Sequence, residues 1–406
     1  MRVRFKRSAV LIIALVMVLA ALPSLPAHAQ VKTGVVNSRA VVVYPNSIIF
    51  TIDLESQAQI TDIRLNYRVE RDSFVDVICE GVAGFTDDRL SARWVWDMSK
   101  TGNLPPGTVV EYWWKIAKEN GGSLVTQVQQ VVFTDHRYQW QEITQDNLSL
   151  FWYRGEKAFA LELMQAAQAA LSQLEADMDA HLVRPVNIYI YGSSAELQGA
   201  MLYVQEWAGG LAFTGYGVVA IGISPSNLDW GKQAMVHELA HIVTHQMTNN
   251  PYNSIPVWLN EGISMYAEGE MDEYSESYLR RAVLNGDLIS VQSLASPFSA
   301  NADTTYLSYA QSYSLVEYLI KEYGREKMAG LLDKFSQGAD YDQAFLDTYG
   351  FDIDTLDDAW QAWVKERYDI YSLQTASLMP LYLGFVVCGL VTMAAVFIIQ
   401  NKKQPV

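Results

Sequence analysis

Three side chains in five consecutive residues have the types and spacing for metal chemistry: His237, Glu238 and His241, in the run His-Glu-Leu-Ala-His. The stretch Trp230 to Met247 reads as a helix, and residues four apart share one helical face, so both imidazoles can point at one ion. Zinc suits imidazole nitrogens, and two helical histidines fix half of a tetrahedral shell. Glu238, one step round the helix, is placed beside the open position and not as a ligand. There it can take a proton from an attacking water whose pKa a zinc ion lowers toward about 7. Glu261 follows His241 after 19 intervening residues, in Trp258-Leu259-Asn260-Glu261-Gly262. The linker Asn249 to Pro256, with Pro251 and Pro256, lets a second helix return alongside the first, and Glu261 at its start can supply a third ligand. Ala234, Val236, Leu239, Ala240 and Val243 surround the motif with small and apolar groups, the dry setting in which a bound ion acts strongly. His245 is four residues beyond His241, about 6 Å further along a continuous helix. It reads as a supporting or surface histidine.

His-Glu-Leu-Ala-His followed at this distance by Asn-Glu-Gly resembles the gluzincin peptidases, the thermolysin-like and aminopeptidase N-like superfamily. The 19-residue gap is similar to the thermolysin branch, and Trp258 to Gly262 to the aminopeptidase branch. The stretch Tyr306 to Gly324 resembles bacterial proteins with a peptidase MA-like domain. The resemblance covers roughly Leu148 to Tyr368. It implies peptide hydrolysis by water attack, with Zn2+ held by His237, His241 and Glu261 and with Glu238 as general base and then proton donor to the leaving amine. It also implies a donor for the developing oxyanion. Tyr306, Tyr309 and Tyr313 are the candidates, Tyr309 first from its place in Ser-Tyr-Ala-Gln-Ser. Aminopeptidases of the superfamily anchor the substrate amine with Gly-x-Met-Glu-Asn. The nearest likeness here, Gly199-Ala200-Met201-Leu202-Tyr203, lacks the glutamate, which favours an endopeptidase. The position where thermolysin-like enzymes place an aspartate behind a histidine ligand is Met265, so another group, with Glu268 the nearest acid, must orient the imidazoles.

These residues need elements to hold them. From Tyr138 two β-like runs (Gln139 to Ile143, Leu148 to Tyr153) lead into a long helix, about Glu156 to Met178. A strand at Val186 to Tyr191, a helix near Ser194 to Leu202 and a strand at Gly215 to Ile223 follow. That last strand is expected to be the edge on which a substrate backbone pairs. From Asp229 to about Tyr368 the chain reads as helical, interrupted near Gly286 to Ser299. Upstream, short β-rich runs (Val41 to Tyr44, Ile48 to Leu54, Ile63 to Val69, Leu90 to Trp96, Val109 to Ile116, Val125 to Phe133) are punctuated by Asn103 to Gly107 and Asn120 to Gly122. Ile63, Leu65, Tyr67 and Val69 alternate with Arg64, Asn66 and Arg68, as a half-buried strand does. The fold expected is multidomain: an antiparallel β-sandwich, immunoglobulin- or fibronectin-like, over 30–137, then an α+β zincin-type peptidase domain over 138–372 with a helical C-terminal part.

The ends read as targeting segments. Arg2 to Arg7, the apolar run Ala9 to Leu22 and Ala27-His28-Ala29 make a signal peptide over 1–29. Leu378 to Ile399 is an uncharged apolar run of 22 residues, about 33 Å as a helix, long enough to span a bilayer as one C-terminal transmembrane helix. Lys402 and Lys403 assign the tail, 400–406, to the cytoplasmic side. The expected location is the cell membrane, single-pass, with the peptidase outside the cytoplasm, acting on a protein or peptide substrate. The formal charge of −16 argues against nucleic acid as a partner. The two cysteines are Cys79 and Cys388, and with Cys388 in the apolar run no disulfide framework is expected to staple the outer part. Oligomeric state has no signature in the sequence. A competing reading, a membrane-tethered binding or adhesion protein with a structural zinc site, leaves Glu238 without a purpose.

Overall fold

The computed structural model describes residues 34–368 except 56–59, 86–90, 102–103, 120 and 203–208. The expected signal peptide (1–29), membrane span (378–399) and tail (400–406) lie outside the described residues. Among the described residues no helix is long and apolar enough to cross a membrane.

The first unit is built from two antiparallel sheets. One has the order β1-β2-β6-β5, with β1 Val35–Val43, β2 Ser47–Leu54, β5 Gly84–Phe85 and β6 Ser91–Asp97. The other runs β4-β3-β7-β8, with β9 also on β7, from β3 Ile60–Val69, β4 Cys79–Val82, β7 Thr108–Lys118, β8 Ser123–Val125 and β9 Gln129–Phe133. Alternation fixes which face is inside. Ile48, Phe50 and Ile52 on β2 meet Ile63, Leu65 and Tyr67 on β3 and Tyr112, Trp114 and Ile116 on β7 in one core. The run Val125 to Phe133 divides into two strands. Lys115 pairs with Val125 but Tyr112 pairs with Gln129, so one extra residue, at 127–128, bulges out of the ladder.

The second unit has a five-stranded sheet of order β10-β11-β12-β14-β13: β10 Gln141–Gln145, β11 Leu148–Trp152, β12 Val186–Tyr191, β13 Gly210–Phe213 and β14 Val218–Gly222. β11, β12 and β14 are parallel, and β10 and β13 close the two edges antiparallel. This corrects the expected edge. The run Gly215 to Ile223 is not one strand: Thr214–Tyr216 is a 3-10 turn, and β14 beyond it pairs on both sides, with β12 and β13. Among the described residues, the edge beside β14 belongs to β13, which opens on Gly210.

One sheet face carries α1 (Lys157–Met178) and α3 (Leu228–Thr248), packed on Leu150, Trp152, Ile188, Ile190, Val219 and Ile221. A short α2 (Ser194–Gln198) joins β12 toward β13. Then come α4 (Val257–Ala267), α5 (Glu273–Asn285), α6 (Val291–Leu294), α7 (Ala302–Tyr323), α8 (Arg325–Ser336), α9 (Tyr341–Tyr349) and a helix α10 over 353–368. The opposite face is also covered. Tyr189, Tyr191, Val218 and Ala220 belong to the same core as the β-sandwich. That explains why β12 and β14 are almost continuously buried rather than alternating.

Candidate metal centre

α3 starts on Leu228, just after a 3-10 turn over Pro225–Asn227. Its apolar face (Met235, Val236, Leu239, Ala240, Ile242, Val243) is buried against the sheet and neighbouring helices, so His237 and His241 emerge together on the other side. Their rings stand 4.8 Å apart, nearly perpendicular. α4 returns alongside α3, starting after Pro256. Gly262, next to Glu261, permits the close crossing of α4 over α7: a Cβ there would lie 2.4 Å from the Ser312 carbonyl oxygen.

This packing brings His237, His241 and Glu261 into one cluster, their ligand atoms within 4.8 Å of one another. Glu261 Oε2 is 3.4 Å from His237 Nε2 and 3.7 Å from His241 Nε2. Two donors each about 2.0–2.1 Å from a tetrahedral ion stand about 3.4 Å apart, so the carboxylate oxygen lies close to zinc-ligand spacing from each imidazole nitrogen. The outer ring nitrogens are occupied as well. His237 Nδ1 is 2.7 Å from Glu268 Oε1, and His241 Nδ1 is 3.0 Å from Ser264 Oγ. Such contacts fix the ring orientation and leave each Nε2 facing the centre.

The electrostatics follow from five acidic and basic groups, His237, Glu238, His241, Glu261 and Glu268, sharing little water. Burial works against a charge on His237, but Glu261, Glu268 and Glu238 outweigh it and push its pKa up to about 10. Burial and the His237 charge depress His241. Despite burial, Glu261 is held below the ordinary carboxylate range by the two histidines. Burial pushes the Glu238 carboxyl up to about 7, against the pull of His237.

Glu238 lies under the edge strand. It accepts a hydrogen bond from the Ala212 backbone, and a Cβ on Gly210 would come within 2.9 Å of its Cγ. The Gly222 amide donates to the Gly209 carbonyl, so the antiparallel alternation turns the backbone groups of Gly210 and Ala212 away from β14, toward the cleft. Hollows open on both sides of the centre. One of about 270 Å³ contains Trp230, Gln233, His237, Glu238 and Glu268. The other, about 290 Å³, contains Thr214, His241, His245, Asn260 and Glu261.

The three tyrosines separate. Tyr309 is half-buried on α7 with its ring 6.5 Å from that of His237 and against Phe298; burial, then Glu261, Glu238 and Glu268, push its phenol up to about 12. Tyr306 points outward onto Tyr274 and Tyr278. Tyr313 is buried against Tyr266. His245 is turned from the centre: its Nε2 is 3.6 Å from Asp72 Oδ2, on a loop of the β-sandwich. Ala200 and Met201, in the segment compared with an amine anchor, are buried in the core shared with the β-sandwich rather than lining the cleft. Sequence reasoning missed Ser264 and β13. Ser264 stands one helical turn after Glu261, a signal available in its spacing.

A helical His-Glu-x-x-His pair, a glutamate from the next helix and an antiparallel edge strand across them make up the candidate metal site. Residues 166–366 match the family model described as Peptidase MA superfamily, which covers α3, α4 and α7 and therefore the whole cluster. Among solved structures, the chain is similar to an aminopeptidase A from Legionella pneumophila complexed with aspartic acid (10% identity, 77% of this chain and 47% of that one, TM-score 0.33). It is also similar to yeast LTA4 hydrolase complexed with bestatin (10% identity, 75% and 61%, TM-score 0.31). A β-1,3-glucan binding domain of carbohydrate-binding module family 56 matches 23% of the chain at 16% identity and 95% of its own length, with a TM-score of 0.16. The chain thus spans about half to two thirds of the two hydrolases. No curated protein sequence matches it.

Proposed function

We propose that the protein is a zinc metallopeptidase, an endopeptidase tethered to the membrane with its cleft outside the cytoplasm. The observation that carries this reading is the convergence of His237, His241 and Glu261 with Glu238 beside them under an open sheet edge. Zn2+ held by the three ligands would supply a polarised attacking water and an electrophile for the scissile carbonyl. The backbone groups of Gly210 and the carbonyl of Ala212 are offered to an extended substrate, which sets the peptide bond over Glu238. Glu238 removes the proton from the water and returns it to the leaving amine, as general base and then general acid. Tyr309, its ring 6.5 Å from that of His237, would donate to the developing oxyanion.

A cleft with hollows on both sides of the centre supports internal cleavage, since residues on either side of the bond find room. The missing glutamate in Gly199 to Tyr203 points the same way. The small-x-small run Ala27 to Ala29 and the apolar run Leu378 to Ile399 before Lys402 and Lys403 support the tethered, extracytoplasmic reading. The test is metal analysis and peptide hydrolysis by the purified full chain. One zinc per chain, with hydrolysis lost in Glu238→Gln and zinc retained, supports the proposal. Hydrolysis unaltered in that variant overturns it.

A further inference from the structure

Between β3 and β4 the chain leaves the β-sandwich as a loop, residues 70–78, and crosses to the second unit. Asp72 fastens it there. Its amide donates to the Gly215 carbonyl at 2.6 Å, its carboxylate accepts from Asn249 Nδ2 at 2.7 Å and pairs with Arg184. Just past this anchor the loop presents Phe74, Val75, Val77 and Ile78 to solvent, with 57%, 68%, 51% and 57% of their surfaces exposed. Four large apolar side chains in five residues, held out by a fixed anchor, are costly to leave wet, and such patches mark binding sites.

The loop is continuous with the cleft. Beside it lies a hollow of about 330 Å³ walled by Tyr67, Val75, Val77, Trp96, Leu104 and Tyr216. Tyr216 and Arg71 also line the next hollow, about 350 Å³, which contains Asp72 and Thr214. Thr214 in turn lines the hollow at His241. The open edge of β13 runs in the same direction, from Gly210 beside Glu238 through Phe213 to Thr214 and Gly215, where Asp72 is bonded.

We propose that loop 70–78 is a substrate subsite for apolar side chains of an extended polypeptide, supplied by the β-sandwich to the cleft of the other unit. This rests on the peptidase reading above and adds a substrate class to it. Antiparallel pairing with β13, the more stable geometry, runs the substrate from Phe213 toward Gly210. The residues N-terminal to the cleaved bond then reach the loop. At about 3.3 Å per residue, contact begins roughly four to six positions upstream. A peptide is favoured over an anionic bilayer because Asp76, its side chain 88% exposed, sits amid the apolar residues.

The test uses the full chain with zinc and two fluorogenic dodecapeptides identical around the cleaved bond, one with leucine and one with serine four to six positions upstream. The expected result is a kcat/KM about tenfold or more higher for the leucine peptide, carried by KM. The preference collapses toward unity in Phe74→Ser/Val77→Ser and is kept in Phe74→Leu, which controls for folding. A preference that survives the double serine variant overturns the subsite. Binding of both peptides to Glu238→Gln by fluorescence anisotropy separates this proposal from the catalytic one. Tighter binding of the leucine peptide that depends on Phe74 and Val77 supports the subsite even if nothing is cleaved, and equal affinities overturn it. Loss of binding to phosphatidylglycerol vesicles in the double variant, with leucine preference intact, assigns the loop to lipid and also overturns it.

Discussion

Glu268 Oε1 stands 2.7 Å from His237 Nδ1, on the far side of the imidazole from Glu261. The two glutamates flank one end of the same helix pair: Glu261 faces the centre from inside α4, and Glu268 closes that helix two turns later. In the proposed zinc site one would present a ligand and the other aims the ring that would share the ion with it. Ser264 does the same for His241 from one turn away.

Removing these supports should weaken metal binding without removing a ligand. Glu268→Gln and Ser264→Ala are each expected to cost about 10–100-fold in zinc affinity, measured by competition with a chromophoric chelator. Unchanged affinity in both variants would show that the rings are oriented by packing alone.

The proton on His237 competes with the metal. A histidine raised to about 10 must release its proton before Nε2 can bind an ion, so apparent zinc affinity should rise by up to tenfold per pH unit between about pH 7 and 9. In the metal-free protein the sign for folding is the reverse. The stabilisation from protonated His237 is complete below the ordinary histidine pKa of about 6.5 and is lost as pH rises through about 10. Calorimetric titration in buffers of different ionisation enthalpy reads the proton directly; zinc binding with no proton release at pH 8 contradicts the assignment.

Tyr309→Phe removes a hydroxyl from the carboxylate cluster and leaves the ring on Phe298. Loss of an oxyanion donor lowers kcat by about 10²–10³-fold, with zinc content and KM little changed. Tyr306→Phe and Tyr313→Phe, whose rings pack elsewhere, should stay near wild type. A kcat loss in either of these larger than that of Tyr309→Phe would reassign the donor.

Asp72→Asn should be a pH-dependent stability variant. Arg184 is the main cause holding Asp72 below its ordinary pKa, against its own burial, with Asn249 and His245 adding to it. Its stabilisation is present above the unfolded value of about 3.9 and fades as pH falls through the lower folded value. At pH 7 the variant is expected to lose about 1 kcal/mol in urea unfolding, a modest figure because Arg184 is open to solvent. Near pH 2 the difference should vanish; a constant deficit would mean a steric cause.

The metal cluster was legible because its geometry is short-range. A spacing of four on a helix dictates that His237 and His241 share a face, and a Pro-containing linker makes a helix return the natural course for Glu261. Glu268 could be suspected only because Met265 left a vacancy. The open edge was not legible: whether β13 or β14 lies outermost depends on pairing partners tens of residues apart, and Gly209-Gly210 masks a strand whose role needs a missing side chain. Nor could the alternation of Tyr189 and Tyr191 with Ile188 and Ile190 reveal that the tyrosine face meets Tyr44 and Phe133 of the sandwich, because burial on both sides looks the same whatever covers it.

That covering has a practical consequence. With Tyr189, Tyr191, Val218 and Ala220 roofed by the sandwich, a truncation beginning at residue 138 would bare an aromatic slab, and the isolated N-terminal piece would bare its counterpart. The two halves should melt in a single cooperative transition and resist being expressed apart. Grafting the catalytic half onto another carrier would require redesigning that slab first.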